Sequence, residues 1–392
     1  MSDKSVLVFY PHDFYEMSAG THRRVYDLLA YFKNRGFTVD LLSINGYTNR
    51  WTERDAGRRD SFDSIRLCEW RPSMTDWLGF AASRLLGGLP DFSIKPLRRA
   101  MRELTASRRY AFVVVTYGYW GALADCVADG PVKVMNFQDC LTLSYYMAKG
   151  AGRFTLGRMF EGEVRSVSKF SCALSVSEEE ALLFKPFCQE TSFVNVPIFC
   201  PRRFPRRPGA GSGFDILFVG SDNPFNRGGM AWFMDEVYPL LPQGVSMLVV
   251  GRICRHVGKK DNMTLIERLD DLDGAYAGAR LSICPLKGGT GMKVKVVDSL
   301  SYGIPVVTTS WGLTGMLQRR GNGCWTADTP GEFARGITTL LNDSGAYDRL
   351  RGQAEAFFDG HFSTDIAYGN LDAVFLERRP DEKPGPGPDN KP

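Results

Sequence analysis

The residues most suited to chemistry lie in a glycine-rich loop that leads to a lysine and an acid. The stretch reads PLKGGTGMKVKVVDSLSYGIPVVTT and covers residues 285–309. The preceding LSICPL predicts a buried strand, and KGGTGM predicts a turn that brings the backbone close to a ligand. From about Met292 the apolar residues follow helical spacing, until Gly303 and Pro305 end the helix. The stretch is therefore predicted to form strand, loop, helix and strand.

A loop of this kind is suited to an anion. The first N–H groups of a helix lack partners, and the positive end of its dipole lies there. Lys293 adds a full charge. On a continuous helix Gly291 and Asp298, seven residues apart, share a face about 10 Å apart, and Asp298 could accept hydrogen bonds from both ribose hydroxyls. The alternative is a packing turn with a surface charge at Lys295, since no P-loop or Rossmann fingerprint is matched.

Two α/β domains are predicted to position this loop. The 392 residues suffice for two domains, and short apolar runs alternate with amphipathic stretches, as in parallel sheets with helical crossovers. In such sheets ligands bind at the carboxyl ends of the strands. The predicted segments are an N-terminal domain at 1–199, a linker at 200–213, a C-terminal domain at 214–350, helices at 351–377 that pack back toward the N-terminal domain, and a disordered tail at 378–392.

Composition argues against several other classes of protein. The net charge of +4 is too small for a dense basic face that holds nucleic acid. Nine cysteines without a C-x-x-C pair predict buried thiols, not a disulfide framework or a zinc site. No run of about 18 apolar residues suggests a membrane span. The first residues lack the pattern of a secretory signal, so we expect a cytoplasmic protein.

The same stretch resembles the donor-nucleotide signature of retaining GT-B glycosyltransferases of family four, the glycosyl transferases group 1, and SYGIPVV matches its A-x-G-x-P-V-V-like segment. Four further stretches of the second half are similar to that family: residues 214–241, 262–286, 329–343 and 362–375. Residues 17–43 and 161–184 match it more loosely. The resemblance implies the GT-B fold, in which two doubly wound Rossmann-like domains face each other across a cleft. The first would bind the acceptor and the second the nucleotide-sugar donor.

The resemblance implies transfer of a sugar from a nucleotide-diphosphate-sugar to an acceptor hydroxyl with retention, in polysaccharide, glycolipid or other glycoconjugate biosynthesis. It implies no metal and no cofactor beyond the donor. Lys293 would stabilise the departing diphosphate. The donor would be held by Gly220, Arg227, Gly288, Gly289, Thr290, Gly291, Met292 and Asp298. Thr290 and Asp298 occupy the two positions of the family's frequent E-x7-E pair, so the identity of the donor sugar does not carry over.

Four residues of the first half are candidates for the acceptor side. Gly20 would let a turn approach the cleft, and Arg24 would hold the acceptor or a phosphate. His12, just past the first strand, and Asp139, after VKVMNFQ, are catalytic candidates that could contact the acceptor hydroxyl. The alternatives are a helix cap for Asp139, a satisfied loop residue for His12 and an exposed arginine in the first helical turn. A dedicated general base is not required if the leaving phosphate takes the acceptor proton.

Two other features have alternative interpretations. The D-x-D of Asp271 and Asp273 resembles a metal-binding pair, but acids also favour helix starts, and we expect no metal here. Residues 74–112 mix Trp, Phe and Leu with Arg and Lys. They predict an amphipathic helix pair packed on the sheet, with peripheral contact to an anionic membrane as the alternative.

Two other functions share the predicted architecture. A nucleotide-sugar epimerase would use the same nucleotide loop without an acceptor site. A nucleotide-sugar-binding protein would keep the pocket without turnover. Acceptor-dependent nucleotide release distinguishes the transferase from both.

Overall fold

A computed structural model of the chain describes residues 4–15, 20–58, 60–149, 153–204, 213–269 and 271–377. The chain divides into two compact units, residues 1–196 with 368–392 and residues 197–367. Most of the predicted linker, residues 205–212, and the predicted tail, residues 378–392, lie outside the described residues.

The first unit is built on a parallel sheet of seven strands. The strands are β1 Ser5–Phe9, β2 Thr38–Asn45, β3 Ser64–Glu69, β4 Phe112–Thr116, β5 Val132–Phe137, β6 Cys172–Ser175 and β7 Ser192–Asn195. Their order is β3-β2-β1-β4-β5-β6-β7, and neighbouring strands run parallel. Every residue of β1 and of β4 is buried, which explains their near-continuous apolar sequences.

Helices cross over between these strands. They are α1 Gly20–Asn34, α2 Glu53–Ala56, α3 Met74–Leu86, α4 Lys95–Ser107, α5 Leu141–Lys149, α6 Arg153–Val167 and α7 Glu178–Phe184. A 3-10 turn at Gly118–Cys126 follows β4. Its Trp120 is a central residue of the core, in one cluster with Leu97 and Met101 of α4.

The second unit repeats the architecture with six parallel strands. They are β8 Phe214–Val219, β9 Met247–Val250, β10 Met263–Ile266, β11 Ala279–Cys284, β12 Val306–Thr308 and β13 Cys324–Thr326, in the order β10-β9-β8-β11-β12-β13. Its helices are α8 Pro224–Trp232, α9 Asp273–Ala277, α10 Val294–Ser301, α11 Pro330–Asn342 and α12 Ser344–His361, with α13 Thr364–Phe375 after them. Short turns lie at Phe233–Val237, Tyr238–Leu240, Arg252–His256 and Ser310–Leu313. The predicted two-domain α/β fold is confirmed.

The last helix, α13, belongs to the first unit from Tyr368 onward. Its Asp372 accepts hydrogen bonds from Tyr31 at 2.8 Å and from Arg35 at 2.7 and 2.8 Å. Phe375 packs against Phe32 with ring centroids 4.8 Å apart. The C-terminal end of the described chain is therefore fastened to α1 by both a charged and an aromatic contact.

Each sheet has one point at which the strand order reverses direction. It lies between β1 and β4 in the first unit and between β8 and β11 in the second. Successive connections leave these strand pairs to opposite sides, so a crevice forms at their carboxyl ends, where ligands bind in open α/β sheets. The loops after β1, β4, β8 and β11 are thus the places to examine for function.

Two predictions about residue classes can be checked directly. Eight of the nine cysteines are buried as thiols and Cys324 is half-buried, which confirms the prediction of buried thiols. Among the described residues, no helix combines the length and apolar character that crossing a membrane demands.

The helix pair predicted for residues 74–112 is only half correct. α4 buries Leu97, Ala100 and Met101 on the sheet and turns its basic residues outward, as predicted. α3 buries none of its residues. Its apolar side chains other than Phe80 face solvent, so the prediction that both helices pack on the sheet is wrong for α3.

Candidate functional site

The glycine loop leaves β11 at the reversal point of the second sheet, but it does not open the helix where the sequence predicts. α10 begins at Val294, and Lys293 precedes it with extended backbone angles (φ −87°, ψ 98°). Gly289 and Gly291 have φ of +106° and +69°, which a right-handed helix does not allow. Gly291 therefore lies outside the helix, and the predicted two-turn helical spacing between Gly291 and Asp298 is wrong.

Lys293 holds this loop from inside. Its side chain is buried, and Nζ donates to the carbonyls of Gly289 at 3.3 Å, Thr290 at 2.9 Å and Gly291 at 2.8 Å. An ammonium has three protons to donate, and three carbonyls receive them. The prediction that Lys293 presents its charge directly to a leaving group is therefore corrected: its charge lies behind the loop and orients the backbone.

The position of Lys293 determines the direction of the neighbouring N–H groups. In a trans peptide the C=O and N–H bonds point in opposite directions. Because the carbonyls of residues 289–291 converge on Nζ, the N–H groups of Thr290, Gly291 and Met292 point away from it. Three successive donors with a cation behind them, next to the N-terminus of α10, form an arrangement suited to phosphate oxygens.

The loop is supported on both sides. A Cβ on Gly288 or Gly289 would meet the ring of Phe225 at 3.3 to 3.4 Å, so these glycines let the loop lie flat on α8. Gly315, at φ +96°, lies against the backbone of Met292, where a Cβ would come within 3.3 Å. The hydroxyl of Thr309 also donates to the carbonyl of Leu286. These contacts fix the backbone of the loop without any ligand.

Lys295 is not the surface charge that the sequence predicts. Its side chain is half-buried, with Nζ donating to Asn226 Oδ1 at 2.7 Å and lying 4.1 Å from the ring centroid of Phe218. Burial lowers the pKa of its ammonium to about 8. Phe218 and Asn226 belong to β8 and α8, so Lys295 connects α10 to the strand and the helix on the other side of the reversal point.

No signal in the sequence distinguishes Lys293 from Lys295, because both lie near the predicted helix start. The partner that buries Lys295 is Asn226, 69 residues earlier in the chain. Only the pairing of β8 with β11 brings the two together. Lys295 and Asn226 are therefore functional candidates that sequence reasoning missed.

The loop after β8 holds Gly220 and Arg227. Gly220 donates its N–H to Val250 at 2.9 Å, and a Cβ on Gly251 would lie 2.2 Å from the Gly220 carbonyl. Arg227 is exposed, and its Nε lies 2.5 Å from Asp222 Oδ1. The same oxygen lies 3.0 Å from Nε2 of His256. Gly220 thus allows the ends of β8 and β9 to pack closely. A phosphate bound by Arg227, as predicted, would have to compete with Asp222 for its guanidinium.

Asp298 lies one turn into α10. It is half-buried, and its Oδ1 accepts a long hydrogen bond of 3.7 Å from the Cys200 thiol. Burial, and next the charge of Asp298, raise the pKa of the Tyr276 hydroxyl well above its ordinary value. Tyr276 in turn stacks on Tyr302 with centroids 5.1 Å apart. Asp298 therefore lies beside the tyrosine pair formed by Tyr276 of α9 and Tyr302 at the end of α10.

The D-x-D pair is part of the local structure. Asp273 accepts a hydrogen bond from the Tyr302 hydroxyl and pairs with Arg203 at 3.2 Å, and its own N–H donates to Asp271. In the part of the chain that the structure describes, no three His, Cys, Asp or Glu residues cluster as metal ligands would.

A cavity of about 890 Å³ lies beside the second sheet, beyond β12. Its lining comprises Ser310, Trp311, Leu313, Thr314, Arg319, Arg320, Gly321, Cys324 and Thr326. No predicted site residue lines it. Gly315 connects its wall to Met292, so the cavity and the glycine loop share one segment of chain. Trp311, in the turn after β12, is the large exposed aromatic residue of this lining.

In the first unit, His12 follows β1 at the reversal point. Its Nδ1 lies 2.5 Å from the Thr48 hydroxyl, and its ring stacks on Tyr47 with centroids 5.6 Å apart. Burial, and then the neighbouring His22, lower the pKa of His12 to about 4. His12 is therefore neutral near pH 7. His22, with its ring 6.0 Å away, was not predicted as a site residue.

Tyr117 ends β4 on the other side of the same reversal point. Among the residues that the structure describes, Tyr117 is the one non-glycine residue with a positive φ, which is +70°. Such a conformation costs about 1–3 kcal/mol and is frequent at functional sites. Its ring stacks on Tyr10, whose hydroxyl donates to Thr21 near the start of α1 at 3.4 Å. Nothing in the sequence indicates this conformation.

The predicted role of Arg24 receives no support from its contacts. Its guanidinium is buried and donates to Asn136 Oδ1 at 3.2 Å, to the Val196 carbonyl at 2.6 Å and to the Leu174 carbonyl at 3.4 Å. Burial lowers its pKa to about 10. Arg24 connects the carboxyl ends of β5, β6 and β7. It is therefore not the exposed first-turn arginine of the alternative prediction, and its contacts do not mark it as an acceptor ligand. Gly20, by contrast, is exposed as the first residue of α1.

Asp139 follows β5 and is half-buried beside this group. Burial lowers the pKa of Arg24, and the negative charge of Asp139 opposes that change. Burial raises the pKa of Tyr117 to about 12, and the charge of Asp139 contributes to that rise. The N–H groups at the start of α5 are bound by other acids. Glu163 accepts from Leu141 at 2.7 Å and from Thr142 at 2.9 Å. Glu163 therefore supplies the helix-capping function that was the alternative for Asp139.

Comparison with known proteins agrees with the two-sheet fold. Residues 213–343 match the model of the family described as Glycosyl transferases group 1. The sucrose-phosphate synthase of Thermosynechococcus elongatus superposes with a TM-score of 0.69 at 13% identity, over 95% of this chain and 98% of that one. Anabaena Alr3699/HepE in complex with UDP gives a TM-score of 0.70 at 13% identity, over 96% of this chain and 100% of that one.

A relative in sequence is an uncharacterized 44.6 kDa protein in the cps region of Klebsiella pneumoniae. It is 21% identical over 303 residues, which are 70% of this chain and 76% of the relative. Both parallel-sheet units have the Rossmann-like architecture of GT-B glycosyltransferase structures, and the second unit matches the glycosyl transferases group 1.

Proposed function

We propose that the protein is a glycosyltransferase that takes a sugar from a nucleotide-diphosphate-sugar and transfers it to an acceptor hydroxyl with retention. One observation carries the proposal: the N–H groups of Thr290, Gly291 and Met292 point away from the buried Lys293 at the reversal point of the second sheet. The match of this unit to the glycosyl transferases group 1 supports it. So do the solved complexes of Alr3699/HepE with UDP and with UDP-glucose.

The loop would act on the leaving group. Departure of the diphosphate builds negative charge on its oxygens, and fixed donors aimed at that charge stabilise the transition state without reorganising. In this proposal the three N–H groups bind the diphosphate, and Lys293 is a positioning residue that maintains their direction. The half-buried ammonium of Lys295, close to the same loops, adds positive potential while it is protonated.

Asp298 and Thr290 would determine recognition of the donor. The Asp298 carboxylate would accept hydrogen bonds from the ribose hydroxyls in place of the weak thiol contact it makes with Cys200. Thr290 offers a hydroxyl where a carboxylate is frequent in similar proteins. Donor-sugar recognition would then depend more on backbone groups than on charge.

On the acceptor side we propose that Asp139, His12 and their neighbour Tyr117 surround the hydroxyl that attacks. With retention on one face of the sugar, the leaving phosphate takes the acceptor proton, and neutral His12 or Asp139 orients the hydroxyl. The reaction then requires no metal and no cofactor, since fixed N–H donors and lysines supply the positive charge. Addition of EDTA without loss of turnover would support that part of the proposal.

The cps-region relative supports a role in polysaccharide or glycolipid biosynthesis. We further propose that the protein works in the cytoplasm with peripheral contact to an anionic membrane.

The test incubates the pure protein with a panel of nucleotide sugars, with and without a glycolipid extract as acceptor. Acceptor-dependent release of the nucleoside diphosphate is the expected result. An epimerised donor would indicate the isomerase instead, and tight binding without product would indicate a binding protein.

Variants of the loop assign the site. Asp298→Ala and Lys293→Ala should each lower donor affinity or turnover by more than tenfold. Lys287→Ala is the matched control, because its ammonium lies 4.3 Å from the Trp232 ring centroid at the exposed edge of the same loop. If both site variants behave like the control, the assigned site is wrong.

A further inference from the structure

Helix α3 is unusual because it has no buried face. None of its 13 residues is buried. The exposed fractions are 77% for Met74, 56% for Trp77, 63% for Leu78 and 88% for Leu85. A helix of a soluble domain ordinarily turns its apolar stripe to the core, so an exposed stripe of this size marks an interaction surface.

The stripe is regular. Met74, Trp77, Leu78, Ala81 and Leu85 follow the i, i+3, i+4 spacing of one helix face. Phe80 lies beside this face, with its ring 5.6 Å from Trp77, and it packs on Trp70 and Phe92 with centroids 6.1 and 5.3 Å away. Phe80 and a hydrogen bond of 2.8 Å from Arg158 to the carbonyl of Leu86 attach the helix to its unit, while its broad apolar face points outward.

Both ends of α3 are closed, so the helix exists before any partner arrives. Ser73 and Asp76 form a capping box at its start. Gly87, with φ +70°, ends it and donates to the Arg84 carbonyl. A capping box and a left-handed glycine stabilise a helix without tertiary burial.

The segment of the chain that contains this helix has a more positive net charge than the rest of the chain. Residues 71–109 contain eight Lys or Arg and three Asp or Glu, a net charge of +5, whereas the whole chain has +4 and the remainder therefore −1. The three acids are engaged locally: Asp76 in the cap, Asp91 with Arg98, and Glu103 with Arg99. The segment that contains α3 therefore carries an excess of positive charge, with exposed Arg71 before the helix and exposed Arg84 in its last turn.

We propose that α3 docks on an anionic lipid surface, lying in the headgroup plane with Trp77, Leu78 and Leu85 at the acyl boundary. An amphipathic helix with aromatic and aliphatic residues on one side and arginines at its flanks binds in this manner. Exposed Arg71 and Arg84 would reach the lipid phosphates. A second copy of the chain is disfavoured as the occupant, because it would bring two positive segments together. The inference specifies the membrane contact of the proposed function.

Flotation with vesicles tests the proposal. The protein should float with vesicles of phosphatidylglycerol and phosphatidylcholine, but not with phosphatidylcholine alone, and high salt should weaken binding. Leu78→Asp with Leu85→Asp should reduce the bound fraction at least tenfold. Leu182→Asp with Phe187→Asp, two exposed apolar residues of the same unit at 54% and 57%, is the matched control and should bind like the wild type.

A second measurement follows Trp77 itself. Brominated lipid should quench part of the tryptophan fluorescence of the wild type, and Trp77→Phe should remove that part. Vesicle binding that survives the α3 substitutions would overturn the proposal, as would no binding at low salt. A dimer in solution that the α3 substitutions dissociate, without vesicle binding, would identify a second copy instead.

Folding and function are checked separately. Each variant should keep the circular dichroism of the wild type and its affinity for nucleoside diphosphate, since α3 and the glycine loop lie in different units. If vesicle binding fails while the nucleotide still binds, only the membrane inference falls. If the nucleotide fails to bind while the vesicles do, the proposed reaction falls instead.

Discussion

At the scale of single residues, neither of the two lysines near the glycine loop lies where the sequence predicts. The ammonium of Lys293 donates hydrogen bonds to three carbonyls of the glycine loop. Lys295 is half-buried between Asn226 and Phe218, where desolvation lowers its pKa to about 8. The first therefore shapes the site, and the second is a charge that titrates near physiological pH.

The titration of Lys295 predicts proton uptake on donor binding. A bound diphosphate stabilises the charged ammonium and raises its pKa, so near pH 8 binding should take up a fraction of a proton, and affinity should fall as pH rises above about 8. Calorimetry of nucleoside diphosphate binding in two buffers of different ionisation enthalpy measures the uptake. Lys295→Arg should bind with no uptake from this group. Equal uptake by the variant would assign the effect elsewhere.

His12 predicts an acid-side loss of stability. Its pKa is about 4 in the fold and 6.5 when unperturbed. Between these values the unfolded chain binds the proton more tightly, so this contribution to stability is full above pH 6.5 and is lost as pH falls toward 4. Urea unfolding from pH 7 to pH 4.5 should show a shallower decline for His12→Gln than for the wild type. Parallel curves would contradict the assigned burial.

At the scale of elements, strands and glycine turns were predictable, whereas helix boundaries and faces were not. Apolar runs marked the buried strands, because a strand covered on both faces has few polar positions. The start of α10 was misplaced, since left-handed glycines delay the helix to Val294. α3 and α4 both carry amphipathic patterns, yet only α4 packs on the core. Periodicity shows that a helix has an apolar face but not where that face points.

The left-handed glycine of the donor loop gives a prediction at this scale. Gly289→Ala places a Cβ at φ +106°, 3.4 Å from the Phe225 ring. The strain is about 1–2 kcal/mol, and relieving it would turn the Thr290 N–H away from the ligand. We expect donor affinity to fall more than tenfold, as measured by calorimetry.

Gly244→Ala is the matched control, because Gly244 has φ +90°, lies in a turn before β9, and has no atom within 4 Å of the point that a Cβ would occupy. It should cost similar stability and leave donor affinity unchanged. Equal affinity for the two variants would show that the loop does not bind the donor.

At the scale of the whole molecule, both sheets place their candidate residues beside a reversal of strand order. His12 and Tyr117 follow β1 and β4, and the loops of Gly220 and of residues 287–292 follow β8 and β11. The sequence predicted the fold and the glycine turn after β11 because both depend on local patterns. Lys295, Asn226 and Tyr117 could not be predicted, because their surroundings come from strands far apart in the chain.

A diphosphate should stabilise the molecule where a monophosphate does not. A ligand at 100 times its dissociation constant adds about 2.7 kcal/mol to the stability of the native state. UDP, GDP and ADP should therefore be compared with their monophosphates by thermal unfolding. At least one diphosphate should raise Tm clearly more than its monophosphate. An equal rise would indicate that the base and ribose bind without the loop.

The most direct test of the central claim is a crystal structure with the nucleoside diphosphate that gives the largest rise in Tm. The account predicts phosphate oxygens within hydrogen-bonding distance of the N–H groups of Thr290, Gly291 and Met292, with the ribose hydroxyls on Asp298. Lys293 should stay bound to the loop carbonyls. A nucleotide bound elsewhere, or a diphosphate held by Lys293 with the loop carbonyls released, would contradict it.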